Sequence, residues 1–512
     1  MTQQSNRMQL LNESLEDNIE HVKAALGNSG DIVFREFRIG PGGHLKAGIC
    51  YTSGMVDTKS VNDYIMEPLL FNVQQTDVNF PISFGDDLLH VLKDSFLSVC
   101  EIQDVADFGF LFSSLLSGNV ILLVDGCRQG FAIAMSDWKH RSVTEPSVES
   151  VVRGPRESFT ENLRTNTTLI RRKIKDPRLW LENRQIGRVT QTNVAVMYIK
   201  GIVNDKVVEE VRNRLDRIDI DGILESGYIE ELIQDESFSP FPTVYNSERP
   251  DAIAAELLEG KIAILVDGTP VVLIVPALFI SFFHSSEDYY QRADISTLIR
   301  LLRFIGILIA LLAPSLYIAI TTFHQEMLPT QLLVSLASQR EGVPFPAFIE
   351  ALMMEITFEI LREAGIRMPR SVGQAVSIVG TLVIGTAAVE AGIVSAAMVI
   401  VVSITAISSF VLPSINMSIS IRMLRFPLMA LAASFGIFGI IIGVIALAIH
   451  LCSLRSFGVP YMSPFAPVVA DDLKDTIIRL PHWALFSRPR LINQRNIIRE
   501  HTDAPTKPHP RE

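Results

Sequence analysis

The chain has 512 residues, a formal net charge of −11 and a pI near 5.5. That acidic balance argues against a nucleic-acid binder, whose domains are usually basic, while the length leaves room for roughly three domains. Four cysteines, Cys50, Cys100, Cys127 and Cys452, are scattered without metal-ligand spacing, so a reduced compartment with no metal and no cofactor is expected.

Residues 1–30 read as a polar tail without an apolar leader segment. From Ile32 short apolar runs alternate with helical patterns, which predicts a soluble α/β subdomain over 31–150. Within it a helix is predicted over Gly85–Cys100, a strand over Asn119–Val124, a turn at Asp125-Gly126 and a return strand over Phe131–Met135. The phrase Leu115-Leu116-Ser117-Gly118, then Leu123-Val124-Asp125-Gly126, recurs at identical spacing as Leu257-Leu258-Glu259-Gly260, then Leu265-Val266-Asp267-Gly268. Such self-similarity predicts two related subdomains. Residues 151–188 read as a basic linker or helix carrying Arg171-Arg172-Lys173, Lys175 and Arg178. That cluster is either a solvated face or hinge or a contact for anionic lipid headgroups. A second α/β subdomain follows over 189–295, with a strand over Asn193–Ile199, a helix over Lys206–Ile218 and another ending at Leu258.

Between Ile299 and His450 the composition changes to that of lipid-facing chain. The run Phe426–Ile449 has no charge and suffices to cross about 30 Å of hydrocarbon at 1.5 Å per helical residue. In lipid only a helix or a closed barrel satisfies the backbone. A helical transmembrane domain is therefore predicted over 296–455, with spans at 299–321, 373–390, 392–412 and 424–450. Residues 345–366 are either interfacial or a fifth span, and 456–512 form a cytoplasmic tail. Arg292, Arg300 and Arg303 place the N-terminal region in the cytoplasm. Four spans, the preferred count, leave Arg362, Arg367 and Arg370 outside. A fifth span brings them inside and strands the arginine-rich tail.

Glu355, Glu359 and Glu363 recur at helical spacing beside an apolar stripe. They form either a wet interfacial face or, in an oligomer, rings of negative charge that concentrate cations. Gly373, Ser377, Thr381 and Gly385 recur every fourth residue, and Val383 lies among them. Small residues so spaced suit close helix packing or the lining of a water-filled path. Glu390 marks either a tight turn at the bilayer surface or a functional intramembrane carboxylate. Gly40-Pro41-Gly42-Gly43 lacks the lysine of a P-loop, and no nucleophile elbow or His-x-x-x-His pattern occurs. No catalysis is expected.

Four stretches carry a resemblance. They are Val152-Arg153-Gly154-Pro155-Arg156-Glu157-Ser158-Phe159, Glu248-Arg249-Pro250-Asp251, the run from Phe358 to Pro369 (FEILREAGIRMP), and Ser456-Phe457-Gly458-Val459-Pro460-Tyr461. From about Asp77 to Arg490 the chain resembles the A subunits of GerA-type spore germination receptors, a family that includes the stage V sporulation A-type relative. The resemblance implies a spore inner-membrane protein that works with a transporter-like B subunit and a lipoprotein C subunit. It further implies a homo-oligomer forming a nutrient-gated channel for monovalent cations, with the segment containing Gly373–Val389 lining the conduit. A scaffold that clusters partner subunits without conducting is the alternative.

Overall fold

The computed structural model describes residues 9–39, 45–72, 89, 91–93, 101–136, 146, 149, 151–369, 385–492, 496–500 and 502. The chain divides into two compact units. The first comprises Met1–Gln234, Asn246–Pro276 and Arg488–Ile497; the second comprises Asp235–Tyr245, Ala277–Ser487 and Ile498–Glu512.

The first unit is a duplication. Its first half contains α1 (Leu15–Ala25), β1 (Ile32–Ile39), β2 (Leu45–Thr52), β3 (Ile102–Val105), α2 (Phe108–Leu115), β4 (Asn119–Val124) and β5 (Gly130–Ala134). The second half contains α3 (Leu163–Lys173), β6 (Leu179–Ile186), β7 (Thr192–Ile199), α4 (Asp205–Asp216), α5 (Ser226–Ile233), β8 (Tyr245–Ser247), α6 (Pro250–Leu258), β9 (Ile262–Val266) and β10 (Val272–Val275). The sheets run β1-β2-β4-β5-β3 and β6-β7-β9-β10-β8, one order repeated. On β4, Ile121 and Leu123 pack with Leu15, Ile19 and Phe108 of the covering helices. Val120, Leu122 and Val124 join Ile65 and Leu69 on the other face. Burial on both faces is why that strand reads as an unbroken apolar run.

The repeated phrase has a physical cause. Asp125 Oδ1 accepts from Leu15 N at 3.0 Å and Asp267 Oδ1 accepts from Leu163 N at 3.0 Å, so each aspartate meets a helix N-terminus, where negative charge is favoured. The neighbouring amides also match, Gly126 N donating to Glu13 O and Gly268 N to Glu161 O, each at 2.8 Å. Gly126 and Gly268 take φ values of 83° and 91°, a region open to glycine at no steric penalty. Inside each helix a buried asparagine, Asn18 or Asn166, closes a reciprocal pair of hydrogen bonds with the backbone of Asn12 or Thr160.

This geometry decides between the two readings of 151–188, linker or helix, in favour of a helix that belongs to the second half. The segment supplies α3, the counterpart of α1, and the edge strand β6, so the second half begins ahead of residue 189. Its basic cluster is not a free lipid-facing stripe. Arg171 is fully buried and grips Asp31 of the first half through two bonds, at 2.7 and 2.9 Å, while Lys173 pairs with Glu157 and Arg178 with Asp176. Most of the helix predicted over Gly85–Cys100 lies outside the described residues; Leu89 and Val91–Lys93 are helical.

The second unit is helical: α7 (Ala293–Thr322), α8 (Thr330–Arg340), α9 (Ala347–Arg367), α10 (Gly385–Glu390), α11 (Ala396–Ser409) and α12 (Ile415–Ser453), then a two-stranded ribbon, β11 (Arg455–Ser456) and β12 (Val459–Pro460). Two of these, α7 and α12, are long and apolar enough to cross a membrane. Within α12, however, Gly436 has φ 61° and ψ −143°, which breaks the helix. A Cβ on Gly439 would fall 2.3 Å from the Leu431 carbonyl oxygen, and one on Gly443 would fall 2.5 Å from the Leu428 side chain. Straight helix would separate Leu428 from Gly443 by roughly 22 Å. The element is therefore a hairpin whose arms meet at Gly436. Consistently, Ser420 donates to Pro240 O and His450 bonds Ser239, so both open ends reach the same loop. The expected single span 424–450 is replaced by parts of two arms, because glycine at 436 permits a backbone that no other residue adopts without strain.

Residues 456–487, expected as part of a tail, belong to this unit. Tyr461 is buried against Phe279 and Phe282, its carbonyl accepts from Phe279 N at 2.8 Å, and Ser456 Oγ bridges Ala277 N and Thr243 O.

Candidate functional site

Helix α7 serves as a ruler for the second unit. Starting from its Arg300 end, Gly306 faces Ser408 and Val411, the Ala310 carbonyl accepts from Arg425 Nε at 2.8 Å, and Tyr317 bonds Ser395 at 3.2 Å. At the far end Phe323 and His324 enclose Gly436. Helix α11 thus runs antiparallel to α7, and the first arm of α12 runs parallel to it.

Helix α9 also runs antiparallel to α7, and its carboxylates make the site. Glu350 and Glu355 are fully buried. Near Phe323, Glu350 Oε1 accepts from Ser395 N at 2.6 Å and from its hydroxyl, while Arg340 stands 3.9 Å from the other oxygen. One turn further Glu355 pairs with the fully buried Arg425. Another turn on, Glu359 meets Arg422 at 2.8 Å. The spacing explains the match: Glu355 and Glu359 are i,i+4 on one helix, Arg422 and Arg425 are i,i+3 on its antiparallel neighbour, and each pair shares a face. Removing one partner of a buried pair leaves an uncompensated charge and costs about 3–5 kcal/mol.

This overturns the reading of Glu355 and Glu359 as a free acidic stripe, since both are committed to arginines of the same chain. Glu363 is exposed and pairs with Arg367 one turn away. Gly385 is buried at the start of α10; Glu390 is exposed at its end, ahead of Gly392 with φ 65°. Gly373, Ser377, Thr381 and Val383 lie outside the described residues. Sequence reasoning missed Arg422, Arg425, Glu350 and Ser395. The available signal was two arginines inside an apolar helix, at a spacing complementary to nearby glutamates. Among the described residues no group of three or more His, Cys, Asp or Glu is placed to hold a metal ion.

A second charged cluster sits at the Arg300 end. Asp288 is buried and accepts from Arg300 at 3.1 Å and Arg303 at 2.6 Å. Arg300 reaches on to Asp475 at 2.8 Å and the Thr476 carbonyl at 3.0 Å. The foot of the first apolar helix is thereby bonded to the C-terminal segment. In the first unit a cleft of about 650 Å³ is lined by Asp31, Asn162, Arg164, Asn183, Arg184 and Asp267 among others.

Two of the four stretches that carry the family resemblance, 152–159 and 248–251, meet in the first unit. Ser158 Oγ and Phe159 N donate to the Glu248 carbonyl at 3.0 and 2.8 Å, and Arg249 donates to Pro155 O, Glu149 O and Asp251. Burial raises the Glu149 carboxyl to about 7, against a smaller opposing effect of its bond from Ser247.

A duplicated α/β unit is followed by a helical unit in which two helices are long and apolar enough to cross a membrane, the class of a membrane protein. The family model described as Bacillus/Clostridium GerA spore germination protein matches residues 20–491. The chain belongs to that family. It is 49% identical over 506 residues to spore germination protein KA of Bacillus subtilis (strain 168), covering 99% of this chain and 92% of that protein. Spore germination protein GerLA of Bacillus cereus is 40% identical over 478 residues, covering 93% and 95%. Among solved structures, the N-terminal domain of the A subunit of the Bacillus megaterium spore germinant receptor GerK3 shares 43% identity. Its TM-score is 0.42, covering 53% of this chain and 97% of that one.

Proposed function

We propose that the chain is the A-type subunit of a spore germinant receptor, seated in the spore inner membrane beside a transporter-like B subunit and a lipoprotein C subunit. Copies of it gather into a ring and form a nutrient-gated path for monovalent cations. The observation that carries this reading is the family match, which runs unbroken through both units.

The order of contacts along α7 supports a particular threading. α7 leads away from the Arg300 end, α9 returns to it, and Ser395 opens α11 at the Phe323 end. Arg367 and Ser395 thus lie toward opposite ends of α7, and in this reading the chain joining them, which contains Gly373, Ser377, Thr381, Val383, Gly385 and Glu390, is a further crossing. These are the proposed lining and gating positions. With α11 and the two arms of α12 the crossings number six, an even count. Arg300, Arg303, Arg362, Arg367, Arg422 and Arg425 then share one side, which the positive-inside rule assigns to the cytoplasm together with the N-terminal unit. Neither four spans nor five achieves this.

Reconstitution with the partner subunits in liposomes tests the proposal. Nutrient-dependent potassium flux is expected, and replacing Thr381 or Val383 by larger or smaller residues should change resting leak. A panel of such variants without effect on flux would remove the lining assignment. The internal pairing of Glu355 and Glu359 favours a second reading, a non-conducting scaffold, which predicts no flux at any protein density.

A further inference from the structure

The ion pairs on α9 do not balance. Three guanidinium groups, Arg362, Arg422 and Arg425, lie within electrostatic range of one another and of Glu355 or Glu359. Glu355 takes Arg425 and Glu359 takes Arg422. Among the described residues no carboxylate lies within ion-pair distance of Arg362, whose guanidinium instead stands 5.3 Å over the Phe410 ring. One positive charge is left over, half-buried at the edge of an apolar bundle.

Hydrogen-bonding capacity is left over as well. Among the described residues Arg362 Nη1, Arg422 Nε and Arg425 Nη2 are buried and meet no acceptor, and Arg425 is 1% exposed. Glu355 Oε1 and Glu359 Oε1 are likewise unpartnered, so the site is polar throughout yet has an excess cation. An unmatched buried charge is expensive unless an opposite charge joins it. Beside Arg362 and Arg422 the surface is greasy: Ile366, one turn from Arg362, Phe410 under its guanidinium, Ile407 one turn from Phe410, and Met423 next to Arg422 are all exposed.

We propose that Arg362 and Arg422 bind the phosphate of an anionic phospholipid, whose acyl chains cover that apolar rim. Planar guanidinium groups take phosphate oxygens in paired hydrogen bonds, and basic recesses between membrane helices suit phosphate headgroups. The proposal rests on the membrane reading of the second unit. A free phosphate ion would satisfy the guanidinium groups but not the rim.

The test uses the full chain in nanodiscs of phosphatidylcholine alone or mixed with phosphatidylglycerol, and in detergent with inorganic phosphate. Phosphatidylglycerol should raise the thermal midpoint and leave retained lipid in native mass spectra, several-fold more than phosphatidylcholine. Arg362→Gln should abolish both effects. Arg367→Gln, which alters an exposed arginine already paired with Glu363, should leave both intact. Stabilisation by phosphate in detergent, with no added effect of phosphatidylglycerol, would overturn the lipid assignment. So would an unchanged response in Arg362→Gln. Release of the wild-type chain from membranes by alkaline wash would instead sink the membrane reading.

Discussion

Glu149 and Glu355 are both enclosed carboxylates, and they differ in whether a buried arginine faces them as an ion pair. Glu149 lies among Glu248, Arg249 and Asp251, and burial raises it from 4.5 to about 7. The folded chain therefore holds this proton more tightly than the unfolded chain does. Its contribution to stability is complete below pH 4.5 and is lost as the pH rises through about 7. The thermal midpoint of Glu149→Gln should fall less between pH 5 and pH 8 than that of the wild type; parallel pH profiles would refute the assignment. Glu355 is instead enclosed against the equally buried Arg425. Glu355→Gln should destabilise the helical unit by about 3 kcal/mol or more, read as a lowered thermal midpoint in detergent. The paired exchange Glu355→Arg with Arg425→Glu should recover part of that loss. If the exchange is no better than either single change, the pair is not the source of the effect.

At the scale of elements, the hairpin of α12 depends on one residue. Any side chain at 436 must adopt φ near 61° and would place its Cβ 2.6 Å from the His324 ring. Gly436→Val should therefore oppose the fold-back and lower the yield of folded protein, while Gly365→Val, at a position with open space around it, should not. Equal yields would mean that the fold-back tolerates a side chain. This break also marks where sequence reading stopped. Strand β4, helix α6 and the duplication were legible because periodicity and the Asp-Gly turns are local signals. The hairpin was not, because Gly436 sits in an apolar run where glycine equally suits helix packing. The partners of Glu355 and Glu359 were hidden for a related reason: Arg422 and Arg425 lie far along the chain, and only the antiparallel placement of two helices brings them into register. The basic stretch 151–188 misled because charge was taken for exposure, whereas Arg171 is buried on Asp31.

For the whole molecule the decisive quantity is the parity of crossings. If α9 and both arms of α12 cross, residues near Phe323 and residues near Arg362 face opposite sides of the membrane. Single cysteines at Gln325 and Glu363, both exposed, would report this in a background with the native cysteines replaced. A membrane-impermeant maleimide added to intact protoplasts should label the Gln325→Cys variant and spare the Glu363→Cys variant, with the order reversed in inverted vesicles. A third cysteine at exposed Arg455 should behave like the one at Glu363, because the second arm returns the chain to the starting side. Labelling of 325 and 363 from the same side would mean that α9 does not cross, and the segment holding Gly373–Val389 would then have no return journey to make. Labelling of 455 from the side of 325 would mean that α12 crosses once, and six crossings would reduce to five. The first outcome dismantles the proposed conduit; the second leaves it standing and moves only the C-terminal segment.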